Sequence, residues 1–137
     1  EFLSQFDDAS DFYEWVDFFD DDKRACASLP MLLEQEIHGF GFALACDFVK
    51  ELGFMNFSKP DVHIRDIFVA LGLCHDDSDY FLFKAISRIA EATGQTPYAV
   101  DKLFWLIGSG YFYYDEVRVG RRKSEFIAYA QNSLSDE

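Results

Sequence analysis

Residues 28–53, SLPMLLEQEIHGFGFALACDFVKELG, contain two apolar helical segments separated by a pair of glycines. Ser28 is suited to cap the first segment, which we expect to run up to the glycine pair. Gly39 and Gly41 allow the chain to turn sharply, because glycine adopts backbone angles that other residues avoid. Gly53 follows the second segment and is a typical helix stop. The stretch therefore predicts two helices joined by a tight glycine turn.

The rest of the chain carries further helical patterns connected by short polar loops. Apolar residues recur at intervals of three and four in each pattern, and capping residues, Gly and Pro mark the ends. Thr96, followed by Pro97, is expected to cap one helix, and Gly94 is expected to end the helix before it. The predicted helices outside the central pair span residues 11–24, 61–72, 79–93, 97–108 and 121–134. Residues 1–10 are expected to be loose, and residues 109–120 fit either a short hairpin or an extended loop. The sequence thus predicts an all-α fold, a compact bundle of six to seven helices that forms a single domain over residues 1–137.

The composition indicates a globular protein with an aromatic-rich core. Half of the 137 residues are hydrophobic and 18% are aromatic, including 16 Phe. No apolar run reaches the roughly 18 residues that a membrane-spanning helix needs, so we expect no membrane partner. Cys26, Cys46 and Cys74 are odd in number and dispersed, which is typical of reduced, buried thiols in a cytoplasmic protein rather than of disulfides or a metal site. The chain begins Glu1-Phe2 without an initiator Met, and we expect it to be part of a longer protein.

Charge bears on the kind of partner that the chain could bind. The 25 acidic residues outnumber the 12 basic ones and give a net charge of −13, which argues against a large basic surface for nucleic acid. The acids are concentrated ahead of the turn, since residues 1–36 hold 11 acids and two bases. This acidic N-terminal segment is a candidate site for a protein partner. The basic cluster Arg118, Arg121, Arg122 and Lys123 could meet a DNA backbone, an acidic partner, the chain's own acidic N-terminal segment or only solvent.

The glycine turn offers a way for an acidic protein to hold DNA locally. At the start of the second helix the backbone N–H groups are unpaired and lie at the positive end of the helix dipole, so they can bind a phosphate without a basic side chain. The residues that would provide this grip are Gly39, Phe40, Gly41, Phe42 and Ala43, with the Phe40 ring turned inward to fix the turn. The alternative interpretation is an ordinary helix–helix turn in which glycine relieves crowding.

A second motif, KPDVHI at residues 59–64, lies at a fixed distance from the turn. Together with HGFGFALA at residues 38–45, it resembles the paired motifs of the helix-hairpin-helix DNA glycosylase superfamily, which includes endonuclease III and the adenine and alkylbase glycosylases. The matching positions are Gly39, Gly41, Ala45, Asp61, His63 and Ile64. Ala43 stands in the place of the family's lysine, and the 18 residues from Ala43 to Asp61 equal the family's interval. The resemblance covers roughly residues 29–72 and assigns residues 29–53 to the helix-hairpin-helix.

The resemblance implies a base-excision activity on double-stranded DNA. Asp61 would be the catalytic residue, stabilising the sugar cation of a flipped nucleotide and helping water to attack it. Lys59 would contact a phosphate, and His63 would hold Asp61 in position. Because Ala43 replaces the lysine nucleophile, the enzyme would be monofunctional and would hydrolyse the N-glycosidic bond with water. No cofactor and no metal at the catalytic residue are implied, although the family can bind a monovalent cation at the turn.

Two observations keep other functions open. The 36 residues ahead of Ile37 are too few for the helical domain that forms the other wall of the family's base pocket, so that wall would lie on sequence outside this chain. An Asp that follows Lys-Pro and precedes a helical run is also a good helix cap, and Asp61 could have only that role. The alternatives are a non-catalytic helix-hairpin-helix module that binds DNA, and an acidic protein-interaction domain.

Overall fold

The secondary structure of the chain is helical. A computed structural model describes residues 1–112 and 116–136, and over these residues it contains seven α helices and no β strand. Their bounds are α1 Ala9–Asp20, α2 Ser28–Glu36, α3 Phe42–Glu51, α4 Val62–Ala70, α5 Asp79–Thr93, α6 Pro97–Ser109 and α7 Lys123–Ser135, preceded by a short 3-10 helix at Phe2–Gln5. The predicted all-α bundle of six to seven helices is confirmed. None of the described helices is long and apolar enough to cross a bilayer.

Local sequence signals set several helix boundaries. The Thr96 side chain accepts a hydrogen bond from the Ala99 amide at 3.1 Å and caps α6, which begins at Pro97 as predicted. Gly94 adopts a left-handed backbone conformation (φ 66°) and ends α5. These boundaries were predictable because a cap needs only a side-chain oxygen and a stop needs only a residue that tolerates positive φ.

Several boundaries differ from the prediction. The first helix spans Ala9–Asp20 and not residues 11–24, so it begins two residues earlier and ends four residues earlier than predicted. Ser28 is the first residue of α2 and not its cap, a position that Ala27 occupies. A side-chain cap is not needed for the leading amide there, because the Ser28 N–H donates to the Ala25 carbonyl at 2.8 Å in the preceding turn. The sixth helix continues past Gly108 and ends at Gly110, whose backbone is left-handed (φ 72°).

The helices enclose two apolar clusters that meet at α5. The first cluster is built from α1, α2, α3 and the loop after α3, and the second from α4, α5 and α6 with α7 packed on it. Phe83 of α5 belongs to the first cluster, and its ring centroid lies 5.9 Å from that of Phe42 and 6.1 Å from that of Phe57. Its neighbours Leu82 and Ile86 belong to the second cluster. One helix therefore joins the two halves of the core.

The N-terminal residues pack against α1, which differs from the loose segment that we expected. The ring centroids of Phe2 and Phe6 lie 5.9 and 5.2 Å from that of Trp15. Asp8 caps α1 by accepting a hydrogen bond from the Asp11 amide at 3.0 Å. Two rings in a polar stretch do not produce the periodic pattern that predicts a helix. Each ring nevertheless offers a large apolar area, and its burial stabilises the fold by about 25 cal/mol per Å². This gain holds the segment in place.

Residues 109–120 bring two short extended stretches together. Tyr111 and Arg118 form an isolated antiparallel bridge, and the Phe112 amide donates to the Val117 carbonyl at 2.9 Å. Of the two structures that the sequence allowed, the described residues of this segment take the hairpin-like one.

The cysteines are largely inside the protein. All three are free, with Cys26 and Cys46 buried and Cys74 partly buried. Burial raises the pKa of the Cys26 thiol to about 12 and the pKa of Cys46 well above its usual value. Both thiols are therefore protonated at neutral pH and weakly nucleophilic. The prediction of buried thiols is confirmed for these two cysteines.

Candidate functional site

The glycine turn joins α2 to α3 over residues 37–41 and presents its main chain to solvent. Gly39 has a positive φ of 79°, which favours glycine, whereas Gly41 has an ordinary φ of −71° and occupies the cap position of α3. Both glycines are exposed, and a Cβ atom added to either would meet no atom within 4 Å. No side chain caps α3 at Gly41. The leading amides of α3 therefore donate to no capping side chain at Gly41, and unpaired amides at a helix start are what anion binding requires.

Two aromatic rings hold this turn against the core. The Phe40 ring is partly buried in the first cluster, with its centroid 5.7 Å from that of Phe48. Phe42 is 6% exposed and packs edge-on against Phe83. The expected inward orientation of Phe40 is confirmed. A ligand at the turn would therefore meet backbone atoms rather than the rings. Ala43, in the first turn of α3, is partly exposed.

Asp61 occupies the cap position of α4 and lines an open cleft. Its Oδ1 atom accepts a hydrogen bond from the Ile64 amide at 3.0 Å. The cleft has a volume of about 330 Å³ and is lined by Asp61, Asp47, Lys50, Glu51, Lys59, Asp101 and Trp105. It thus combines four carboxylates and one indole with two ammonium groups. Over the described residues, no group of three or more acidic, His or Cys side chains is arranged to hold a metal ion.

Lys59 lies in the cleft with Asp61 but is already engaged. Its Nζ atom is 3.2 Å from Oδ2 of Asp47, and its side chain is 37% exposed. The structure therefore brings together two of the predicted site residues, Lys59 and Asp61. The turn residues are not among those that line the cleft, so a ligand that used both would have to span α3 from its start to the position of Asp47.

A buried ion pair, which was not predicted from the sequence, lies at the cleft. Nζ of Lys50 lies 3.0 Å from Oδ2 of Asp101 and 3.1 Å from Oδ1 of Asp47, and the Lys50 and Asp101 side chains are only 4% and 3% exposed. The Lys59 amide also donates to Oδ2 of Asp101, at 2.7 Å. A charged residue on the buried stripe of each helix, Lys50 after Cys46 and Asp101 after Pro97, was the signal that could have revealed this pair.

The charges in this group shift one another's proton affinities. Burial alone would lower the pKa of Lys50, but the nearby Asp101 and Asp47 carboxylates outweigh burial and raise it. Burial raises the pKa of Asp101, and its contacts with Lys50 and Lys59 offset only part of that rise. Burial also acts to raise the pKa of Asp47, but hydrogen bonds from Lys50 and Lys59 lower it overall. The Lys50 ammonium is therefore held firmly charged, at the junction of α3 and α6.

His63 faces a different cavity from Asp61. It lines a cavity of about 280 Å³ together with Gly108, Arg121 and Lys123. Its Nδ1 atom is buried and has no hydrogen-bond partner within the described part of the chain. The ring lies directly on α6, because a Cβ atom added to Gly108 would be 2.4 Å from the His63 Cβ. The described hydrogen bonds include none between His63 and Asp61, so the orienting role of His63 stays a prediction.

The basic cluster near the C-terminus is partly neutralised by neighbouring acids. Lys123 pairs with Asp66 of α4 at 2.6 Å, and Arg122 pairs with Glu125 at 2.9 Å. The acids that it meets therefore belong to α4 and α7 and not to the N-terminal segment. This pairing reduces the positive charge that the cluster offers to a phosphate backbone.

Comparisons with known proteins give this chain no family. No protein-family model matches it. A search of curated proteins finds no match, and a search of solved structures finds none either. The resemblance to the helix-hairpin-helix glycosylases therefore rests on the residues of the turn and of the Asp61 motif alone.

Proposed function

We propose that this chain carries the DNA-gripping turn and the catalytic aspartate of a monofunctional DNA glycosylase. The observation that supports this best is the place of Asp61, which lines an open, acidic cleft that Trp105 also lines. A carboxylate used only as a helix cap needs no such cleft. The turn at Gly39 and Gly41, with its exposed main chain, would hold the strand on which the reaction takes place.

The chemistry of this site follows from its charge. As the bond between the base and C1′ of the sugar breaks, positive charge develops on the sugar, and a fixed carboxylate such as Asp61 stabilises it. The oxygen of a water molecule then forms a bond to C1′, and a proton from that water neutralises the departing base. Asp47 and Glu51 in the same cleft are ion-paired with lysines, whereas Asp61 forms no ion pair in the described part of the chain. Trp105 also lines the cleft and would supply an aromatic surface for an extruded base.

The strand would be held by main-chain atoms and not by basic side chains. The exposed amides at the start of α3 can bind one phosphate, and the acidic cleft repels others. We therefore expect few phosphate contacts, and a shallow dependence of DNA affinity on salt. With alanine at position 43, the product should be an intact strand with an abasic site.

Base release from duplexes that carry damaged or mismatched bases tests this proposal. Asp61→Asn should lower the release rate roughly 100-fold or more, while Asn keeps the helix cap. Asp8→Asn is the matched control, because Asp8 caps α1 in the same way but lies outside the cleft. Equal release by wild type and Asp61→Asn, or no release from any lesion tested, would refute the catalytic role.

An interaction domain without catalysis is the second candidate. The helix α1 favours it, since Phe18 is 68% exposed and Tyr13 39% exposed on an otherwise acidic helix. Apolar rings among carboxylates fit a partner with a basic and apolar surface. This candidate predicts no affinity for duplex DNA at low salt, whereas the glycosylase and a binding-only helix-hairpin-helix module both require such affinity.

A further inference from the structure

A cavity on α5 is separate from the turn and the Asp61 cleft. It has a volume of about 190 Å³ and lies between α5, the segment that follows α1, and the start of α6. Lys84, Ser87 and Arg88 line it from α5. Their spacing of three and four residues places all three on one face of the helix.

Two of these side chains are cations without an acidic partner. Most Lys and Arg residues of this acidic chain form ion pairs within its described part. Lys84 and Arg88 make neither an ion pair nor a hydrogen bond there, although acids outnumber bases two to one. Lys23, at the same cavity, is neutralised by Glu91 at 2.9 Å. Two like charges on one helical face repel unless a counter-ion lies between them.

An unsatisfied acceptor lines the same cavity. Oδ1 of Asp20 is buried and has no hydrogen-bond partner among the described residues. Burial raises the pKa of this carboxyl group, and hydrogen bonds with Asn56, which also lines the cavity, offset part of that rise. Buried polar atoms are nearly always paired in folded proteins. The cavity thus offers two cationic side chains and, on another wall, one acceptor atom that lacks a hydrogen-bond donor.

We propose that this cavity binds a small phosphorylated sugar, with the phosphate held by Lys84 and Arg88 and a sugar hydroxyl donating to Asp20. A phosphate monoester carries close to two negative charges at neutral pH and matches two cations, and the guanidinium fork of Arg88 fits its oxygens. The cavity is smaller than the roughly 300–1,000 Å³ of typical drug-sized sites, so it would enclose a sugar phosphate or a terminal group of that size. The sugar phosphate could be a free metabolite or the phosphorylated end of a nucleic-acid strand. This binding does not depend on the proposed glycosylase activity.

Calorimetric titration of the whole chain with ribose 5-phosphate, ribose and inorganic phosphate tests the proposal. Ribose 5-phosphate should bind and ribose should not. The double variant Lys84→Met/Arg88→Met should weaken binding roughly tenfold or more, while Met keeps the apolar stems of both side chains. The control Arg118→Met/Arg121→Met removes two cations that form no ion pair in the described part of the chain, and it should leave binding unchanged. Equal weakening by both doubles, or no binding of ribose 5-phosphate at millimolar concentration, would overturn the proposal.

Two further arms define the ligand. A short single strand should bind roughly tenfold tighter with a 5′-phosphate than without one if the source is a nucleic-acid end; if only ribose 5-phosphate binds, the ligand is a free metabolite. Asp20→Ala should strengthen binding of inorganic phosphate, because it removes a neighbouring negative charge, and should reduce the preference for ribose 5-phosphate over inorganic phosphate. An unchanged preference would overturn the role of Asp20. Circular dichroism of each variant confirms that the fold is retained.

Discussion

Replacement of Lys50 by Met should destabilise the protein strongly and in a pH-dependent way. Lys50 lies 3.0 Å from Asp101 with both side chains almost fully buried, so their attraction is about 5 kcal/mol at an effective dielectric constant of 20. Removal of one partner of such a pair leaves the other charge buried and typically costs about 3–5 kcal/mol. Asp101 can escape this cost by taking up a proton. At pH 7 protonation costs about 4 kcal/mol, at about 1.4 kcal/mol for each unit above the ordinary Asp pKa.

The sign of the pH dependence follows from the same argument. In Lys50→Met the folded state binds a proton at Asp101 more tightly than the unfolded state, since burial raises the pKa of Asp101 and the opposing charge is gone. The variant should therefore recover stability as the pH falls through that raised pKa. We expect a loss of about 3–4 kcal/mol at pH 7 and of about 1.5 kcal/mol at pH 5. In the wild type the raised pKa of Lys50 keeps its contribution present up to about pH 10.

Urea unfolding followed by tryptophan fluorescence at pH 5, 6, 7 and 8 measures this effect. Lys23→Met is the control, because Lys23 and Glu91 form an ion pair with side chains 80% and 67% exposed, and its loss should cost less than about 1 kcal/mol at every pH. The double variant Lys50→Met/Asp101→Asn should lose the pH dependence. A loss below about 1 kcal/mol at pH 7, or one that is the same at pH 5 and pH 8, would show that this pair is not buried as described.

Three further substitutions test the geometry around the site. Gly108→Ala should lower the free energy of unfolding by about 2 kcal/mol, because the new Cβ would lie 2.4 Å from that of His63. An increase in the free energy of unfolding measured in urea, which is usual for Gly→Ala in an open helix, would contradict this packing. Asp61→Ala should cost about 1 kcal/mol by removing the cap of α4 and Asp61→Asn almost nothing; equal midpoints in thermal unfolding would argue against the cap. Gly41→Asp should fold normally but bind duplex DNA roughly tenfold more weakly than the isosteric Gly41→Asn; equal affinities in fluorescence anisotropy at low salt would exclude a phosphate at the turn.

The sequence predicted the elements of the fold better than the arrangement of the site. Thr96 and Asp61 were recognised as helix caps, and Gly94 as a stop, because each acts on backbone groups within three residues. The cap at Ser28 was wrong, since a preceding turn already pairs the amide there. The N-terminal rings were also missed, because Phe2 and Phe6 gain their stability from contacts with α1 that no local pattern records.

The site depends on contacts between residues that are distant in sequence. Lys50 and Asp101 are 51 positions apart. In the sequence, each is only a single charged residue on the apolar face of its helix. Asp61 and His63 are two residues apart in one motif, yet they line different cavities because α6 packs across the start of α4. Spacing in the sequence could pair the turn with Asp61, but only packing decides which side chains share a cleft.

The sequence by itself determined the all-helical architecture, the open glycine turn and the capping position of Asp61, because helix period, turn conformation and capping are set by residues a few positions apart. Only the tertiary structure decided that Asp61 lines an acidic cleft with an indole, that Lys50 is buried between two carboxylates, and that Lys84 and Arg88 lack acidic partners among the described residues. Those properties depend on how the helices pack together. For Lys50 and Asp101, this packing brings two charges 51 positions apart within 3.0 Å of each other and buries both side chains.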